Sequence, residues 1–94
     1  MNERRRHYDF IDPSILNILR LVLTQIPEEV VRNESVIPVD VDGAGRLVVA
    51  VFDPNNHAVL DKLRSVCSQE LKVVVAPKPA IDEAIRRQYP VRWD

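Results

Sequence analysis

The sequence predicts an α/β (α+β) fold, a small sandwich in the order α-α-β-β-α-β-α whose three-stranded sheet contains a β-hairpin and one helical crossover. Three observations predict it. Both glycines fall in Asp42-Gly43-Ala44-Gly45, between two β-branched runs; a third apolar run, Leu71 to Ala76, follows a stretch of helical spacing; and most of the seven prolines stand where an element starts or stops. With 94 residues, 46% hydrophobic and 29% charged, the chain has the balance of one globular domain and lies far from disordered compositions.

Each element has a local reason. Asp12-Pro13 sets a capping carboxylate before an N1 proline and opens a first helix that runs through Leu23. Ile26-Pro27-Glu28-Glu29 opens a second, short helix with acids at its positive end, and Asn33 is placed to stop it. Val36 to Val41 and Leu47 to Phe52 form the hairpin around the Asp-Gly turn. Pro38 lacks a donor and makes the first strand an edge, whereas the second is apolar on both faces and should be central. Asp53-Pro54 starts the crossover helix, with Val59, Leu60, Leu63, Val66 and Cys67 on its apolar side and an end near Ser68 or Gln69. Leu71 to Ala76 is the third strand, and two prolines stop it. Ala80 to Tyr89 is the last helix, with Ile81, Ala84, Ile85 and Gln88 on one side and Asp82–Arg86 and Glu83–Arg87 as i,i+4 pairs on the wet face. Phe52 and Tyr89 fit core positions. The globular part is 12–89, flanked by a basic, aromatic tail (1–11) and a short tail (90–94).

The chemistry that is missing narrows the function. Thirteen Lys and Arg against fourteen Asp and Glu give a formal charge of −1, too weak a field to recruit nucleic acid. Arg4 to Arg6 form a basic tip, and no apolar stretch of signal-peptide kind follows. The densest apolar run, Ile15 to Leu23, is broken by Asn17 and Arg20 and is far short of the roughly 20 residues that span a bilayer, so no direct membrane insertion is expected. Cys67 is the only cysteine, which excludes an internal disulfide and a cysteine-rich zinc site and reads as a cytoplasmic chain. The glycines are too close for a phosphate loop. His57 has no second histidine at i+4 for a metal. Asp61 stands at that position, yet no nucleophile accompanies the pair, so it reads as an exposed helical histidine. Neither catalytic residues nor a cofactor or metal are expected.

The first helix says most about partners. Projected at about 100° per residue, its apolar side chains cover an arc of roughly 220°, about twice the stripe that a sheet face needs. Ile18 and Leu21 on one flank, or Leu16 and Leu23 on the other, should remain exposed unless covered. Tyr8, Phe10 and Trp93 in the tails either fold over them or join them as a partner-binding surface. Self-association through this helix, giving a homo-oligomer, is another way to cover it.

From Asp12 to Tyr89 the order of features resembles the N-terminal domain of type II secretion and type IV pilus assembly ATPases, MshEN-like, in its C-terminal subdomain only. The residues that carry the resemblance are Ile26-Pro27-Glu28-Glu29-Val30, Val36-Ile37-Pro38-Val39, Leu47-Val48-Val49-Ala50 with Asp53-Pro54, Leu60-Asp61-Lys62-Leu63-Arg64, and Ile81 to Tyr89. The resemblance implies a non-catalytic protein-interaction domain outside an ATPase core, docking on an inner-membrane platform component or on a motor ATPase. It also implies an alternative, since some relatives sense cyclic di-GMP through helical motifs of the form R-L-G-x-x-L. Arg20-Leu21-Val22-Leu23 begins in that way but lacks the glycine, so cyclic di-GMP is not the expected ligand. Localisation would then be cytoplasmic, peripheral to the inner membrane through a partner. Whether the domain stands free or is part of a longer ATPase is left open by these residues.

Overall fold

The run Leu47-Val48-Val49-Ala50-Val51 forms a strand, β2, that is buried at all five positions, so both of its faces must be covered. In the computed structural model, which describes residues 9–89, it is the central strand of three. β1 (Ile37–Val41) pairs with it antiparallel and β3 (Leu71–Val75) pairs parallel, in the spatial order β1-β2-β3. The hairpin, the edge position of β1 and the central position of β2 are all as expected. The turn is held by Asp42, whose carboxylate accepts from the N–H of Ala44 and of Arg46 at 2.9 Å and from the Arg46 side chain at 2.8 Å. Gly45, at φ +82°, supplies the left-handed residue that closes it.

Helix α3 (His57–Val66) makes the crossover from β2 to β3. It begins three residues later than Asp53-Pro54 suggests. Asp53 caps a separate turn, accepting from Asn55 N at 3.0 Å, and Asn56 becomes the helix cap through its bond from Val59 N. α3 also ends at Val66, short of Ser68, because Cys67 is extended. Val51 and Val59 line one small cavity, whereas Val48, on the opposite face by strand alternation, lines a groove with Leu16 and Val22. The crossover helix and the N-terminal segment therefore cover opposite faces of the sheet.

Helix α2 (Glu28–Glu34) buries Val30 and Val31 and ends one residue beyond Asn33, where Ser35 takes a left-handed φ of 55°. A Cβ in that conformation costs about 1 kcal/mol, and the sharp turn delivers Val36, 1% exposed, straight into the core. Helix α4 (Lys78–Gln88) buries Ile81, Ala84 and Ile85 as the spacing predicts. Its ion pairs differ from the expected ones: Lys78 takes Asp82, Glu83 pairs with Arg86, and Arg87 is used elsewhere. Phe52 is 42% exposed and not a core residue, with the Lys78 ammonium 6.0 Å from its ring centre.

The largest departure is in the first helix. A 3-10 turn at Pro13–Ile15, capped by Asp12, gives way to extended backbone at Leu16 and Leu19, and only Arg20–Leu23, here α1, is α-helical. Ahead of it Asp9–Ile11 pairs with the outer edge of β3, Val75 N donating to Asp9 O at 2.8 Å and Ile11 N to Val75 O at 3.0 Å.

The hairpin turn makes the fold acid-sensitive. The Arg46 and Ala44 backbone N–H groups and the Arg46 guanidinium hold the Asp42 carboxyl below its ordinary value of 3.8, against the desolvation that raises it. A depressed native value means that the stability Asp42 contributes is complete above 3.8 and is lost as the pH falls through the native value. Asp42→Asn should flatten the acid limb of a stability-against-pH curve followed by circular dichroism.

Candidate functional site

The chain from Asp12 to Thr24 should be a helix by its spacing, but its carbonyls are taken from outside. In a continuous helix the Ser14 carbonyl would accept from the N–H of residue 18, and that of Leu16 from residue 20. Instead the last turn of α4 supplies donors: the Arg87 guanidinium to Ser14 O, Gln88 Nε2 to Leu16 O at 3.1 Å, and the Tyr89 hydroxyl to Leu23 O at 3.1 Å. Arg32 of α2 donates in turn to Tyr89 O. These bonds hold residues 14–23 as a strap across the sheet face.

The strap sorts the apolar side chains differently from a helical projection. Ile18 and Leu23, expected on the exposed flanks, are each 9% exposed and belong to the core together with Val22. That expectation fails because extended backbone at Leu16 and Leu19 turns residue 18 inward. Leu16 is half-buried. Leu21 is 77% exposed and Phe10 77%, and they are joined by Ile15 at 75% and Leu19 at 71%. Sequence reasoning placed Ile15 and Leu19 only within the arc and missed them as exposed groups; no local signal marks them, since the break after Ile15 is made by residues more than sixty positions away. Tyr8 and Trp93 lie outside the described residues.

Two concave features flank the strap. Between it and β1 runs a groove of about 460 Å³ lined by Ile11, Leu16, Leu19, Val22, Val39 and Val48, with Asn17 and Asp40 as its polar members. On the other side a hollow of about 320 Å³ is bounded by Arg20, Leu23, Thr24, Glu28, Gln88 and Tyr89. Burial, together with the nearby Glu28 carboxylate, pushes the Tyr89 phenol well above its ordinary 10.0, so it remains a donor.

The remaining candidates for chemistry are dispersed. His57 is exposed at the start of α3, and the Asp61 carboxylate accepts from Arg64 at 3.1 Å. Cys67 is half-buried with its Sγ 3.9 Å from Gln25 O, and burial raises its thiol. Among the described residues no three His, Cys, Asp or Glu side chains converge on a metal position, and no helix is long and apolar enough to cross a membrane.

Comparison with known proteins agrees with this architecture. The family described as MshEN domain matches residues 6–92. The type IV pilus assembly ATPase PilB of Myxococcus xanthus (strain DK1622) is 33% identical over 79 residues, which is 84% of this chain and 12% of that protein. The chain thus spans about an eighth of that relative. Among solved structures, MshE with cdg superposes with a TM-score of 0.78 at 20% identity, over 87% of this chain and 59% of the other. The N-terminal domain of XpsE gives 0.73 at 21% identity, over 85% and 56%. At such identities these two likenesses speak for the fold.

Removing the strap's anchors should loosen it. Tyr89→Phe leaves the Leu23 carbonyl without its donor and should cost about 1 kcal/mol in denaturant unfolding. In the native protein the same bond should fail in base. A raised phenol contributes stability that is complete below 10.0 and is lost as the pH rises towards its native value, a limb that Tyr89→Phe should abolish.

Proposed function

The chain belongs to the MshEN domain family, and from that premise we propose that it is a non-catalytic docking domain, binding a protein component of an inner-membrane secretion or pilus platform through the strap and Phe10. The observation that carries this reading is exposure. Four of the seven large hydrophobic side chains exposed among the described residues, Phe10, Ile15, Leu19 and Leu21, fall within twelve consecutive positions. Large apolar groups concentrated in one segment mark surfaces that are covered in use. Leu16 and Leu19 also line the groove between the strap and β1.

The anchoring explains how such a patch can bind. A loose apolar segment would lose its freedom on association, at about 0.5–1.5 kcal/mol for each immobilised side chain. Here the main chain is already fixed by the Ser14, Leu16 and Leu23 carbonyl bonds. In this reading the chain acts by position, and the ATPase activity named for its pilus relative is assigned to none of these residues.

Leu19→Lys combined with Leu21→Lys changes two side chains already in water, so the folded spectrum should be retained. Affinity for the platform component, measured by calorimetry, should fall about tenfold or more. Unchanged affinity would reject this surface, and a concentration-dependent dimer in sedimentation would assign it to a second copy.

A second reading, nucleotide sensing, is favoured by the likeness to MshE with cdg and by the hollow beside Arg20, which offers a guanidinium, the Thr24 hydroxyl and the Tyr89 ring. Arg20 is followed by Leu21 and Val22, with no glycine to let a nucleotide approach the backbone. Titrating cyclic di-GMP against the protein should therefore give no heat at high micromolar concentration. Saturable heat that Arg20→Ala removes would install this reading in place of docking.

A further inference from the structure

Resting on the docking reading, we propose that the groove between the strap and β1 receives an extended segment of the partner that carries two apolar side chains near a lysine or arginine. The β-bulge in β1 is the first support. Pro38 lies opposite Val49, and a regular ladder would set Val39 opposite Val48; instead the register slips by one and Asp40 takes that place. Cross-strand partners share a face, so the slip moves Asp40 from the α3 side of the sheet to the groove side. A bulge that re-aims one side chain beside a site is a recurring device.

The chemistry of the re-aimed group is the second support. Asp40 is exposed and its Oδ1 accepts from Val41 N at 2.8 Å. Among the described residues no Lys or Arg pairs with it; Asp12 and Asp53 share that state but cap local turns, and neither lines the groove. The residue lines a groove whose other members include the apolar Val48, Leu16 and Val22. An apolar trough with one carboxylate in its lining is complementary to apolar side chains next to a cation.

The backbone of the strap is the third. Leu16 has φ −89° and ψ 148° and Leu19 φ −65° and ψ 141°, both extended. Among the described residues the main-chain groups of Asn17 and Ile18 enter no main-chain hydrogen bond. A segment extended at Leu16 and Leu19, with main-chain groups of Asn17 and Ile18 not used in main-chain bonds and an apolar groove beside it, suits an added strand. A volume of about 460 Å³ lies within the roughly 300–1,000 Å³ of sites that bury a ligand.

Selection from a random peptide library displayed on phage, with the intact chain as bait, tests this. The enriched peptides should share two apolar residues at alternate positions and a nearby Lys or Arg. Asp40→Lys should weaken the best such peptide about fivefold or more and turn a repeated selection towards acidic residues. Asp40→Asn, which keeps an acceptor for Val41 N, should fall between. Peptides enriched equally on the Asp40→Lys protein, peptides with no basic residue, amphipathic helical peptides, or no enrichment would each overturn the proposal. If the Leu19, Leu21 variant loses the platform component while Asp40→Lys binds it normally, the groove proposal fails and docking stands. If neither variant loses it, both fail.

Discussion

Three consecutive side chains at the end of α4 reach back to the main-chain carbonyls of Ser14, Leu16 and Leu23, and the arrangement of the N-terminal third follows from those bonds. For Ser14 and Leu16 they replace acceptor bonds that a helix would have made internally, so these two carbonyls are satisfied where the helix breaks. Ile18 can then turn into the core while Leu19 and Leu21 stay in water. Each such bond contributes only about 1 kcal/mol. Their weight comes from acting together on a segment whose local preference is helical.

Those donors are positioned by packing. Ile81, Ala84 and Ile85 are 0–5% exposed, and burying a side chain such as Ile81 stabilises by about 1.5–3 kcal/mol, enough to fix the axis of α4 against the sheet. Gln88 follows Ile81, Ala84 and Ile85 along the inward side, so its amide meets the strap and not water. The strap in turn covers Val48 from the face opposite α3. A central strand apolar on both faces, read from five residues, thus requires a cover on each side, and on one side that cover is the candidate site.

The hairpin, the central strand and the crossover were legible because their determinants are local: Asp42 and Gly45 make the turn within five residues, and the unbroken apolar run Leu47 to Val51 marks a strand covered on both faces. Asp12-Pro13 was a sound start signal too, but it starts a 3-10 turn of three residues. What halts the helix lies at Arg87, Gln88 and Tyr89, and periodicity within one segment carries no trace of donors from another. The same limit explains Arg87, which local spacing pairs with Glu83 and which tertiary structure sends to Ser14. Of the candidate site, Phe10 and Leu21 were named as side chains open to a partner and are exposed. Ile18 and Leu23 were misplaced because a helical projection was applied to a chain that is extended at Leu16 and Leu19. The bulge that re-aims Asp40 was likewise invisible, since Ile37, Val39 and Val41 read as one face with Asp40 on the other, whereas the slip sets Asp40 on the side of Ile37 and Val41 on the opposite one.

The central claim is that the strap is the surface a platform protein covers. Hydrogen exchange of the backbone amides, with and without the platform component, addresses it residue by residue. The account predicts added protection at Phe10 and the amides of 15–24, with α3 on the opposite sheet face unchanged. Protection of α3 with the strap unaffected would contradict it.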